Sequence, residues 1–174
     1  MPYDAVYSAY MKEAAMEPRI DYANAAPGAR AAMLGLEAYV HESGLDAPLL
    51  ELVRLRASLI NGCAYCVDMH TKVARSLGET EQRLYAVSVW QETPFFSDRE
   101  RAALAWTEAV TRVGVEDVSD DVYARARQQF NGKELVDLTL AIVAINGWNR
   151  IAIAFRMVPG TFTVGERPPG GPEA

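Results

Sequence analysis

Residues 49–78 read LLELVRLRASLINGCAYCVDMHTKVARSLG. Leu49, Leu52, Leu55 and Leu59 recur at spacings of three, three and four, which is one face of a helix. Asp46 stands where a side chain can accept from first-turn N–H groups, and Pro48 fits that first turn, so a helix is predicted up to Asn61. Gly62 resets the backbone, and a second helix follows through AYCVDMHTKVARSLG until Gly78 stops it. Two helices joined across one glycine must fold back on each other, so the stretch predicts a helical hairpin.

Working outward, the same signals repeat. Pro27-Gly28 introduces ARAAMLGLEAYVH, with Met33, Leu36 and Val40 at helical spacing, and SGLDAP ends it. Thr80 opens EQRLYAVSVW, which Pro94 closes; Ser97 with Glu100 three residues on forms a capping-box pattern before RAALAWTEAVTRV. Ser119 opens DDVYARARQQF, and Asn131-Gly132 breaks the chain before KELVDLTLAIVAINGWNRIAIAFRMV, the longest apolar segment. Its Ile151-Ala-Ile-Ala alternation taken alone could be a strand, but length and alanine content favour a buried helix, bent near Gly147. The expected fold is all-α, a single-domain bundle of six to eight helices over residues 1–164, with the Pro- and Gly-rich residues 165–174 as a loose tail.

The chain has 174 residues, half of them hydrophobic, enough to bury a core without staples. A net charge of −6 and the lack of a basic stripe argue against a nucleic-acid partner. The start MPYDAVYSAY lacks the basic-then-apolar pattern of a secretory signal, and Asn146, Asn149 and Arg150 interrupt the apolar run before it reaches the length of a membrane span. A cytoplasmic protein without membrane attachment is expected, and two cysteines in a reducing compartment read as catalytic or metal-binding before they read as a staple.

Cys63 and Cys66 are the only cysteines, and His70 is one of two histidines. At offsets of three and four they share a helix face, near an N-terminus whose free N–H groups favour thiolate. Asp68 falls on the other side as a solvated residue. Glu51, twelve residues before Cys63, can face the same pocket once Gly62 turns the chain. A zinc clip would want four N/S ligands, and only His41 and Glu51 are at hand to complete it, so no metal is expected. Inert buried thiols are the plain alternative.

Free cysteine, with a pKa of about 8.5, is roughly a tenth thiolate at pH 7.5, and lowering the pKa by about two units raises that fraction roughly tenfold. Nucleophilicity falls about six- to tenfold over the same interval, if the slope measured for disulfide exchange carries to peroxides. The two effects nearly cancel, so a proton relay matters more than a low pKa, and Glu51 with His70 supplies the groups for one.

Glu51, eleven residues, Cys63-Ala-Tyr-Cys66, three residues, His70 resembles the signature of the alkyl hydroperoxidase D group of the carboxymuconolactone decarboxylase-like superfamily, and SDRERAALAWTEAVT and INGWNRIAIAFR are similar to its later helices. The resemblance spans about residues 47–156. It implies a homotrimer or homohexamer that reduces hydroperoxides with no cofactor. It implies Cys66 as the attacking thiol, Cys63 as the resolving one, Glu51 and His70 as the proton relay, and an external dithiol, such as a lipoyl-bearing protein, as reductant. Helix-end electrostatics alone would favour Cys63 as attacker. Tyr65 stands where the best-known member has a histidine, so the relay is shorter and Tyr65 is either packed or lines the thiol pocket. Two other functions fit parts of the pattern: a lactone decarboxylase using the carboxylate and histidine, and a non-catalytic CxxC redox or metal-binding module.

Other residues have structural readings. His41 suits a helix C-terminus, Arg54 pairs with Glu51 three residues away, and Trp90, Trp106 and Trp148 fall in core or subunit-interface stripes. Asn146, Asn149 and Arg150 cap, bind a neighbouring chain or reach the pocket, and Asp98–Arg101 is a solvated first turn.

Overall fold

Each expected cap is in place in the computed structural model, which describes residues 16–165. Asp21 caps a short α1 (Tyr22–Ala25), and Pro27 starts α2 (Pro27–Glu42). Asp46 accepts from Leu49 N–H at the head of α3 (Ala47–Asn61), which ends on Gly62 in the left-handed conformation (φ 69°). That conformation costs a side chain and suits glycine, and it turns the chain directly into α4 (Ala64–Ser76). Thr80 caps α5 (Glu81–Ala86), Ser97 boxes with Glu100 on α6 (Asp98–Thr111), Ser119 caps α7 (Asp120–Gln129), and Asn131 boxes with Glu134 on α8 (Gly132–Phe155). Eight α-helices and no strand occur among the described residues.

α3 is the centre, packing against α4, α6 and α8 together. Leu49, Leu52 and Leu55 are buried as the stripe predicts, but so are Leu50, Val53 and Ala57 on its other sides. Three apolar clusters result. Leu50 and Val53 meet Trp106, Phe130, Leu138 and Ile142; Leu52 and Leu55 meet Leu84, Val87, Trp90 and Leu104; Ala57 meets Cys63, Cys66, Ile145 and Ala152. Trimming a buried leucine such as Leu52 in such a core costs about 2–5 kcal/mol.

Two local readings change. The helix predicted through Trp90 tightens at Val87–Glu92 into a 3₁₀ turn with a break at Val89. Guanidinium groups take the carbonyls there: Arg101 donates to Trp90, Gln91 and Thr93, and Arg56 donates to Ser88. Arg99 and Arg101 are therefore structural rather than a solvated first turn, Arg99 also pairing with Glu134. At Gly147 α8 continues as one helix, with the glycine close to the tip of Met33: a Cβ there would sit 2.9 Å from Met33 Cε.

By length and mean hydropathy (1.5) α8 could cross a membrane, yet it packs against α2, α3, α4, α6 and α7 and buries Asp137 and Asn149. Ile151–Ala154 is helical. The expected loose tail, apart from Gly165, lies outside the described residues.

Candidate active site

The αL turn at Gly62 leaves Cys63 as the N-cap of α4, with its backbone N–H donating to Ser58 O at the end of α3. Cys66 and His70 follow on the same face, and all three are buried. The two cysteines are free, with their sulfurs 2.7 Å apart. The local pattern of three and four thus holds in three dimensions, and the hairpin brings in the carboxylate from α3. Glu51 Oε2 lies 2.8 Å from His70 Nδ1. An ionised carboxylate only accepts, so His70 Nδ1–H donates. The other ring nitrogen, Nε2, is buried without a hydrogen-bond partner among the described residues. In a neutral ring it is a lone pair free to take a proton.

Glu51 is 4% exposed. Burial works to raise its pKa, but the hydrogen bond and charge of His70 and the guanidinium of Arg54 outweigh it and hold the carboxyl below its ordinary range. Arg54 does this through a 2.7 Å contact to Glu51 Oε1, and its other arm grips Glu37 Oε2 at 2.7 Å. Glu37 in turn accepts from Trp148 Nε1 at 3.1 Å. The carboxylate is therefore held as an anion between Arg54 and His70.

The thiols divide their charge unequally. The Cys66 S–H hydrogen bond lowers the Cys63 pKa to about 7 against the cost of burial, helped by the backbone N–H groups of Cys66 and Tyr65 and by the Asn149 amide. Donating that bond and losing solvent push the Cys66 thiol up. The helix-end expectation of a thiolate on Cys63 agrees with this distribution.

Tyr65 and Trp148 pack on the thiol cluster as partly buried aromatics. Tyr22 of α1 meets Trp148 edge-on and stacks on Phe155, and burial, with the nearby Cys66, raises its pKa. Arg19 ties this segment down by donating to the carbonyls of Ala154 and Phe155. Burial likewise raises the Tyr65 pKa, again with a contribution from both thiols. An aromatic cover thus lies over the sulfurs.

Several residues land elsewhere. His41 is exposed in the last turn of α2. Asp68 is not simply solvated: it pairs with Lys72 and accepts from Gly160 N–H, anchoring the segment after α8. Among the described residues, no group of three or more His, Cys, Asp or Glu could hold a metal. Trp90 and Trp106 are core. Sequence reasoning left Glu37 unremarked and treated Asn149 mainly as structural; the one available signal was a polar residue inside the most apolar helix.

The carboxymuconolactone decarboxylase family profile matches residues 25–109, which hold Glu51, both cysteines and His70. YdfG of Bacillus subtilis, an uncharacterized protein, is 42% identical over 139 residues, covering 80% of this chain and 95% of that one. The chain belongs to the carboxymuconolactone decarboxylase family. A solved structure of similar sequence is a protein of unknown function from Agrobacterium tumefaciens, provisionally linked to AhpD antioxidant defence. It shares 46% identity and a TM-score of 0.81, over 84% of this chain and all of that one. An uncharacterized peroxidase-related protein with an AhpD core from Ralstonia eutropha has the same fold at 20% identity, with TM-score 0.71, over 92% of this chain and 87% of that one. The AhpD-like branch of the family is thus the one this helical arrangement matches.

Proposed function

We propose that this family member is a thiol peroxidase that reduces hydroperoxides with the Cys63–Cys66 pair. The observation that carries the reading is the buried Nε2 of His70, without a hydrogen-bond partner among the described residues, one turn along α4 from Cys66, with its ring locked by an ionised Glu51. In the proposed cycle His70 Nε2 takes the Cys66 proton, and the Cys66 sulfur attacks the distal peroxide oxygen. The O–O bond breaks, and the departing alkoxide takes the proton back from His70 and leaves as alcohol. Cys66 is left as a sulfenic acid. The Cys63 thiolate attacks that sulfur and displaces hydroxide, which becomes water with one proton from solvent, and the pair ends as a disulfide.

Cys63 is the more acidic thiol, yet its low pKa adds little rate for the reason given above, whereas the base lies one turn along α4 from Cys66. A low-pKa Cys63 suits the two other tasks, resolving the sulfenic acid and leaving when an external dithiol attacks the disulfide. The reductant is proposed to be such a dithiol, with a lipoyl-bearing protein as a candidate, and the setting a cytoplasmic homotrimer or homohexamer. A lactone decarboxylase would need Glu51 and His70 but gives the paired sulfurs no task.

Peroxide consumption with several dithiol donors tests the reading. Cys66→Ser should abolish turnover, and Cys63→Ser should accumulate a dimedone-reactive sulfenic acid on Cys66. Undiminished turnover in Cys66→Ser would remove the reaction, and dimedone label on Cys63 in Cys66→Ser would exchange the two roles.

A further inference from the structure

Asn149 is fully buried on α8, one turn from Ile145 and from Ala152, both packed on the cysteines. Its amide can face the sulfurs in either of two ways, with oxygen or with nitrogen, and the surrounding bonds decide which. At Asn146, Nδ2 points at Ile142 O, which can only accept, and Oδ1 receives Arg150 Nη1, which can only donate. Asn146 therefore presents oxygen to Asn61, whose Nδ2 donates to it at 3.0 Å and to Asn149 Oδ1 at 2.8 Å. Independently, Ser58 Oγ donates to Arg54 O at 2.7 Å and so must accept from Asn149 Nδ2 at 3.1 Å. Both routes fix the same orientation. Asn149 Nδ2 donates to Ser58, and the same side chain hydrogen-bonds the thiols of Cys63 and Cys66.

We propose that Asn149 is a catalytic residue of the thiol pair, its amide polarity set by Asn146, Asn61 and Ser58 so that an N–H faces the sulfur bearing negative charge. The catalytic role rests on the peroxide-reducing reading; the donor role is measured without it. Asn149 favours the thiolate of either cysteine, so it serves Cys63 at rest and Cys66 during attack. It lies outside the stretch that the family profile matches. The titratable groups around the pair are Tyr65 and His70 on α4, Glu51 behind His70 on α3, and Tyr22 on α1 with Arg30 of α2 hydrogen-bonded to it. The variants below leave them in place.

The test is the pH dependence of iodoacetamide alkylation of Cys63 in the reduced full-length protein, mapped by mass, with peroxide turnover measured alongside. The wild-type midpoint is expected near 7. Asn149→Ala should raise it by about one unit, the size of one lost hydrogen bond to the charged form. The double variant Asn61→Ala with Ser58→Ala, which removes both bonds that orient the amide, should raise it less. A folded Asn149→Ala protein with an unmoved midpoint overturns the inference, and if that variant does not fold, an unmoved midpoint in the double variant Asn61→Ala with Ser58→Ala does so. A shifted midpoint in a wild-type background that consumes no peroxide removes the peroxidase reading and keeps the donor; active wild type with unmoved midpoints does the reverse.

Discussion

Two buried charged clusters hang from opposite sides of α3, five residues apart. Around Arg56 each guanidinium nitrogen is answered: Nε and Nη2 reach Glu108 Oε1 at 2.9 and 2.8 Å, Nη1 reaches Ser88 O, and Trp90 Nε1 donates to the same Glu108 oxygen at 2.6 Å. Around Glu51 the carboxylate is equally well held, by Arg54 and His70, but among the described residues the chain of bonds stops at His70 Nε2. A closed network of this kind fixes a fold, and each member is costly to remove. An open one keeps a proton acceptor dry and ready, which is what a reaction needs and a fold does not.

The contrast can be broken by exchanging the expected losses. His70→Ala should lower peroxide turnover by about 10²–10⁴-fold, the usual contribution of a positioned acid–base group, with a smaller loss in thermal midpoint than the next variant shows. Glu108→Ala leaves the Arg56 charge buried and unpaired and should cost about 3–5 kcal/mol in denaturant unfolding, with kcat unchanged. If the two variants behaved alike, in activity or in stability, the distinction between open and closed clusters would be lost.

Acid sharpens it further. Glu51 has a folded pKa below its unfolded value, so its contribution to stability is complete above the unfolded carboxylate pKa of about 4.3 and is lost as pH falls through the lower folded value. Glu51→Gln should therefore flatten the fall in unfolding free energy below about pH 4, where a titration of both proteins by chemical denaturation can compare them. Identical slopes would mean that the carboxylate is not held as the geometry indicates.

What could be read from the chain and what could not follows the reach of each interaction. Glu51, Cys63, Cys66 and His70 were legible because one glycine turn and spacings of three and four bring them together without help from distant helices. The caps at Asp46, Thr80, Ser97 and Ser119 were legible for the same local reason. Glu37 and Asn149 come from α2 and α8, and only tertiary packing delivers them to α3 and α4. The 3₁₀ turn at Val87–Glu92 depends on Arg101, which stands on the next helix and takes carbonyls that a continuing α-helix would have used. The short α1 and its aromatic contact over the thiols left no periodic signal in the sequence.

The most direct measurement is a titration of the reduced, full-length protein with an organic hydroperoxide, following intact mass and free thiols. One equivalent of peroxide should convert Cys63 and Cys66 to an intramolecular disulfide, with loss of two hydrogens and release of one equivalent of alcohol, and His70→Ala should slow that conversion without changing its stoichiometry. Peroxide that persists beside two free thiols in the folded wild-type protein would contradict a peroxide-reducing pair.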